Sequence, residues 1–343
     1  MEYRTLGQTG IQVSTQCLGA MMFGLWGNRD HDDCVSVIHA ALDAGVNFID
    51  TADVYSNGES EEIVGKALVG RRDDVVLATK VHGNMNSDGG TDPNRQGNSR
   101  RWIRMEVENS LRRLKTDWID LYQIHRPDPT LDVDETLGVL TDLVREGKVR
   151  AIGSSTFPAE QIVEAQWVAE RRGRERFRCE QPPYSILARG IERAVLPTCT
   201  RYGMGVIVWS PLNGGWLSGK YRRGQAWPEG SRGAMGLFSD PEKQHNQRKF
   251  DAVEQLEKVA ADAGLSMTHL AIAWSLEHPA VTSTIIGPKT MAQLTDLLAA
   301  DGVHLDAEVL DRIDEIVAPG ATLVGRDDGY EPPELVPAAR RRS

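Results

Sequence analysis

Cysteine is scarce in this chain, four residues in 343, and Cys17, Cys34, Cys179 and Cys199 show no Cys-x-x-Cys pair and no ligand spacing with histidine. That pattern excludes a disulfide scaffold and a zinc module, so reduced, structural thiols and no metal are expected. Long apolar runs are lacking too; nothing approaches the ~20 residues that a membrane helix needs. Basic charge falls short, with 39 Lys and Arg against 49 Asp and Glu and a formal net charge of -10. Neither nucleic acid nor an anionic membrane is therefore an expected partner. The Arg340-Arg341-Arg342 run is too short to reverse that balance. Met1-Glu2-Tyr3-Arg4 shows no basic segment leading into an apolar one, so the expected location is cytoplasmic. Also missing is any Gly-x-Gly-x-x-Gly behind a strand-like run, the fingerprint of an open dinucleotide-binding sheet.

What is present is a repeated alternation. Strand-like runs occur at Cys17–Phe23, Asn47–Asp50, Val75–Lys80, Trp118–His125, Arg150–Thr156, Phe177–Gln181, Gly205–Ser210 and Thr282–Gly287. Helical patterns fall between and after them, at about 32–44, 59–68, 99–114, 133–146, 158–171, 190–202, 268–277 and 290–299. Eight strand–helix repeats predict an α/β fold of the (β/α)8 TIM-barrel type, and an apolar content of 40% is enough to fill it. Tyr3–Leu6 and Ile11–Ser14 flank Gly7-Gln8-Thr9-Gly10 and predict an N-terminal β-hairpin. Further helices are expected at 248–263 and Asp306–Val317. One barrel domain, 1–318, should be followed by a tail, 319–343. The long loops Gly83–Asn98 and Asn213–Gln247 both follow strands and belong at the C-terminal mouth; the second is a candidate lid.

Polar groups collect at one end of successive strands. Asn47-Phe48-Ile49-Asp50 ends in a carboxylate with Tyr55 just beyond, Val75–Lys80 in an ammonium, and Trp118–His125 in an imidazole. Each alone has a plain reading: Asp50 as a turn cap, Tyr55 as a surface aromatic, Lys80 reaching out from the rim, His125 holding a loop carbonyl. Ser155 and Gln181 can simply satisfy strand-end backbone groups. Together they form a coherent acid. A tyrosine donates a proton poorly at neutral pH unless a cation lowers its pKa; Lys80 can supply that cation and Asp50 can hold it. His125 can then donate to a carbonyl oxygen. Such a group suits addition of hydride to a carbonyl, with the hydride supplied by a cofactor.

These residues resemble the aldo-keto reductases. The motifs are Gly45-Val46-Asn47-Phe48-Ile49-Asp50-Thr51-Ala52-Asp53-Val54-Tyr55, Ala78-Thr79-Lys80, Tyr122-Gln123-Ile124-His125-Arg126-Pro127-Asp128, Gln181-Pro182-Pro183-Tyr184-Ser185, Trp209-Ser210-Pro211-Leu212 and Ile286-Gly287-Pro288-Lys289-Thr290. The resemblance implies a catalytic tetrad of Asp50, Tyr55, Lys80 and His125 and a nicotinamide cofactor, NADPH with NADH as the alternative. It assigns the carboxamide to Ser155 and Gln181, ring stacking to Trp209, and the pyrophosphate to Ser210, Leu212 and Lys220. Gly287, Lys289 and Gln293 fall at the adenosine end, with Lys289 on the 2′-phosphate. Thr156 stands where an asparagine usually completes the carboxamide clamp, and Asp296-Leu297 replace a Glu-Asn pair. Trp26, His82, Tyr55 and His125, with Asn84, Met85 and Asn86 nearby, are the expected wall for a small carbonyl substrate. Family members are monomers or larger assemblies, so a homo-oligomer stays open. Two other functions fit the same fold: a nicotinamide-binding regulatory subunit with little turnover, and a Schiff-base aldolase on Lys80.

Overall fold

The computed structural model describes residues 1–86, 90–234, 243–335 and 339. The Arg340-Arg341-Arg342 run, the tip of the candidate lid and the end of the tail lie outside them. Tyr3–Thr5 (β1) and Gln12–Ser14 (β2) pair antiparallel, as the turn between them predicts. A closed parallel barrel follows: Gln16–Gly19 (β3), Phe48–Asp50 (β4), Val76–Val81 (β5), Ile119–Ile124 (β6), Val149–Ser155 (β7), Cys179–Gln181 (β8), Gly205–Val208 (β9) and Ser283–Ile286 (β10). β10 pairs β3 and closes the ring. The fold is a (β/α)8 barrel.

Helices α1 (His31–Asp43), α2 (Glu59–Ala67), α3 (Arg100–Leu114), α4 (Val133–Arg145), α5 (Ala159–Arg172), α6 (Val195–Tyr202), α7 (Gln244–Asp262), α8 (Met267–Glu277), α9 (Met291–Leu298) and α10 (Ala307–Ile316) surround it. Local chemistry sets many of their ends. Asp30, Ser99, Asp132, Ser266, Thr290 and Asp306 accept from backbone N–H groups of the first turn, which satisfies donors no helix can pair internally. The pattern at 190–202 is not one helix. Gly190–Arg193 forms a 3-10 turn, Ala194 breaks it, and α6 starts at Val195. Pro197 is the reason: it lacks an N–H and fits only the first turn of a helix. No described helix is long and apolar enough to cross a membrane.

Side chains alternate along a strand, so residues two apart share a face. Cys17, Phe48, Ala78, Leu121, Ala151, Cys179 and Ile207, one from each of seven strands, form an apolar layer inside the barrel. Leu6 and Val13 of the hairpin complete it from below. Contact there is close: a Cβ at Gly7, whose φ is +53°, would lie 2.4 Å from the Gly205 nitrogen. Two residues further along each strand the interior turns polar or open, at Gly19, Asp50, Lys80, Gln123, Gly153, Gln181, Trp209 and Gly287. That second layer is the floor of the mouth. All four cysteines are buried free thiols.

The two ends of the lid segment differ from a free flap. Trp216 is fully buried and packs against Tyr221, Trp227 and Phe250 with ring centroids 4.9–5.6 Å away. The segment's base is therefore anchored to α7; residues 235–242 are outside the described set. The start of the tail is also tied down. Arg189 and Leu323 form backbone hydrogen bonds to Ala321 and Leu187, and Asp327 pairs with the buried Lys249 at 2.6 Å.

Candidate active site

A cavity of about 730 Å³ opens at the C-terminal mouth. Asp50, Tyr55 and His125 line it, with Trp26, Arg126, Ser155, Gln181 and Trp209. Lys80 lies beneath, fully buried, and donates to Asp50 Oδ2 at 2.6 Å, to the Thr51 carbonyl at 2.8 Å and to the Tyr55 hydroxyl at 3.2 Å. The other oxygen of Asp50 accepts from Gln181 Nε2 at 2.8 Å and Gln123 Nε2 at 3.4 Å. Asp50 is thus a hub: strands β4, β5, β6 and β8 each send it a side chain or hold it.

Tyr55 is not on a strand, and its placement needs a special turn. Ser56, Asn57 and Gly58 follow it with φ of +49°, +57° and +94°, a left-handed run that L-residues rarely adopt. Surrounding contacts fix it. Ser56 Oγ donates to the Phe23 carbonyl at 3.3 Å and accepts from Trp26 N at 3.1 Å. Gly58 rests on Arg113, where a Cβ would meet Cδ at 2.8 Å. Arg113 is itself clamped by the buried Glu61 and Glu106. The phenol ring then meets His125 edge-on, centroids 5.7 Å apart, and Trp26 at 6.0 Å.

Burial shapes the protonation states. It opposes charge on Lys80, but Asp50 and Tyr55 outweigh it and hold the ammonium pKa above its ordinary value. Burial drives the His125 imidazole well below its usual range, and the charges of Lys80 and Arg126 add to that, so the ring is neutral. For Tyr55 the balance differs from the sequence argument. Lys80 does pull the phenol pKa down, yet burial is larger and leaves it above the ordinary value. The site at rest holds a protonated phenol beside a charged amine.

Ser155, Gln181, Trp209, Ser210, Leu212, Lys220, Gly287 and Gln293 also line the cavity. Ser155 Oγ donates to the Gln181 carbonyl at 2.8 Å. Thr156, His82 and Lys289 lie off its wall, as do Asn84, Met85 and Asn86. Thr156 takes a left-handed φ of +60° and its hydroxyl accepts from Arg126. His82 shares a 2.9 Å hydrogen bond with Asn98 Oδ1, and Asn86 folds back on Asn84. Lys289 donates through its backbone N to Gln293 Oε1 at 2.9 Å, and its charge reaches Lys220. Two charged cavity residues carry no role in the sequence reading. Arg126 follows His125 directly and its guanidinium lies over Trp209, 5.6 Å from the centroid. Arg232 sits in the irregular 213–247 segment, where nothing in the pattern marks it; burial lowers the Lys220 pKa, and the charge of Arg232 adds to that. Lys220, Arg232 and Lys289 form no ion pair with a carboxylate among the described residues. No three described His, Cys, Asp or Glu residues are grouped to hold a metal.

Known proteins share this pattern of sequence. Residues 16–318 match the Aldo/keto reductase family. An uncharacterized oxidoreductase, YrpG, of Bacillus subtilis is 40% identical, the match covering 92% of this chain and 96% of the relative. The aldo-keto reductase YhdN of the same organism is 38% identical, over 90% and 91%. A protein of Oryza sativa named as a probable voltage-gated potassium channel subunit beta is 37% identical, over 92% and 97%. Both the barrel and the length of these matches lead to one assignment: this chain belongs to the aldo/keto reductase family.

Proposed function

We propose that this chain reduces an aldehyde or ketone to an alcohol with NADPH, NADH being the alternative donor. The observation that carries the reading is the buried ammonium of Lys80, touching both a carboxylate and a phenol at the floor of a cavity. The residues present fit a nicotinamide dinucleotide. Trp209 offers an indole face, and Lys220, Arg232 and Lys289 are cations that form no ion pair with a described carboxylate, on one side of the mouth, as a polyphosphate would require. When bound, the reduced nicotinamide supplies hydride.

The chain's own groups handle the oxygen. His125, neutral, donates an N–H to the substrate carbonyl and fixes it. Tyr55 gives its hydroxyl proton to that oxygen as negative charge develops there. Lys80 stabilises the phenolate left behind, and Asp50 keeps Lys80 charged and in place. A charged amine is no nucleophile, so a Schiff-base aldolase on Lys80 is disfavoured. A regulatory, cofactor-sensing role is the second reading, favoured by the relatives named as channel β-subunits.

Titration with NADPH and NADH, followed by quenching of tryptophan fluorescence and then by a carbonyl panel, separates them. Turnover that vanishes in Tyr55→Phe with binding retained supports the reductase. Binding without turnover on any carbonyl supports the sensor, and no binding of either dinucleotide sinks both.

A further inference from the structure

Arg126 stands apart from the other cavity cations. It follows β6, on the His125 side, whereas Lys220 and Arg232 belong to the segment after β9. Its backbone carbonyl accepts from Asn98 Nδ2 at 2.9 Å, which fixes the residue at the rim. One arm of its guanidinium is taken: Nη1 reaches the Thr156 hydroxyl and, at 3.4 Å, the His125 carbonyl. Among the described residues Nε and Nη2 have no acceptor, and no carboxylate forms an ion pair with the guanidinium. Glu180, which its charge reaches, forms no ion pair with it and accepts from Ser154 and the Phe157 N–H. The side chain is half-buried, and burial makes its charge costly enough to pull its pKa down. A partly desolvated guanidinium with a free fork, facing a cavity, lacks an anion. It lies within electrostatic reach of the Tyr55 hydroxyl, where the reacting carbonyl would sit.

We propose that Arg126 is a substrate-recognition residue, and that the carbonyl compound reduced here carries a carboxylate close to its reacting group. The inference rests on the reductase reading above. In the reaction the carbonyl carbon gains hydride as the reduced nicotinamide is oxidised. The oxygen takes the Tyr55 proton, which solvent later restores. The carboxylate passes through unchanged, held by the Nε–Nη2 edge of Arg126. Thr156 holds the opposite side of the fork and makes Arg126 stiff.

The test compares 4-oxobutanoate with its methyl ester, alike in shape and differing in charge. The wild-type protein should favour the acid in kcat/KM by about tenfold or more, mostly through KM, as a charge-assisted pair in a half-buried site allows. Arg126→Met should bring that ratio to parity or below, and Arg126→Lys should keep part of it. A merely structural arginine would lower both substrates together and leave the ratio alone. A ratio near one in the wild type, or one unchanged in Arg126→Met, overturns the proposal. Calorimetry of succinate with the protein and oxidised cofactor gives a second readout that needs no turnover. Weaker succinate binding in both variants supports the anion site; absent binding in the wild type overturns it. Failure to reduce either compound or any neutral carbonyl, with succinate still bound through Arg126, would instead overturn the reductase reading.

Discussion

Lys80 Nζ lies 2.6 Å from Asp50 Oδ2, with the lysine side chain fully buried and the carboxylate 3% exposed. A pair so deep is held less by net gain than by the cost of separating it: removing one partner leaves a bare charge, at about 3–5 kcal/mol. Here each charge has other company. Asp50 keeps two amide donors, and Lys80 keeps a carbonyl and a phenol.

Asp50→Asn preserves shape and deletes the charge. The ammonium loses its largest favourable partner, so the Lys80 pKa should fall and its support for Tyr55 with it. We expect kcat/KM to drop by about 10²-fold or more, the scale of general-acid catalysis, and the melting temperature to drop as well. Steady-state kinetics with thermal denaturation on the same preparation checks both. Unchanged activity would remove Asp50 from the mechanism.

His125 makes a prediction about pH. Its folded pKa is lowered by burial first, then by Lys80 and Arg126, so it stays neutral through the range in which free histidine titrates. The kcat/KM profile between about pH 6 and 8 should therefore show no limb from this ring. His125→Gln, which keeps an N–H donor, should lower the rate yet leave the profile's shape unaltered. A limb near the ordinary histidine pKa that disappears in His125→Gln would contradict a neutral donor.

Glu180 bears on stability instead. Burial raises its carboxyl from 4.5 to about 7, although Ser154 and the Phe157 N–H favour the anion. In the unfolded chain it ionises first, so between those two pKa values the native state binds the extra proton. Stability from this group is full below about pH 4.5 and is lost as pH rises to 7, by roughly 3 kcal/mol at most. Glu180→Gln should flatten that fall. Urea denaturation at several pH values measures it; parallel curves for both proteins would refute the assignment.

On the proposed reading, the cations after β9 and β10 would divide a dinucleotide between them. Lys289→Ala should weaken NADPH about tenfold, ~1.4 kcal/mol, and NADH far less, because only NADPH carries the 2′-phosphate. Lys220→Met should weaken both, and the loss should shrink as salt is added. Fluorescence titrations at two ionic strengths distinguish the two residues. Equal losses for both cofactors in Lys289→Ala would place that lysine elsewhere.

Much of this was readable from the chain, for a physical reason. Strand alternation has period two, so an apolar residue at Phe48, Ala78 or Leu121 announces what stands two places on: Asp50, Lys80 or Gln123. What escaped lacks a period. The left-handed turn at Ser56 and Asn57 has no glycine to mark it until Gly58, and it holds only because Phe23, Trp26 and Arg113 brace it. Arg126 was hidden beside a more conspicuous neighbour; its meaning lies in the partners it does not have. For Tyr55 the sequence shows the neighbouring cation but carries no measure of burial, which here is the larger effect.

The hairpin under the barrel has a kinetic consequence. With Leu6 and Val13 packed into the lowest layer, the described residues close the barrel at that end, and the cavity opens at the mouth. Two molecules sharing such a blind channel must queue. Whichever lies deeper enters first and leaves last, so the order of binding and release is written into the floor, far from any reacting atom.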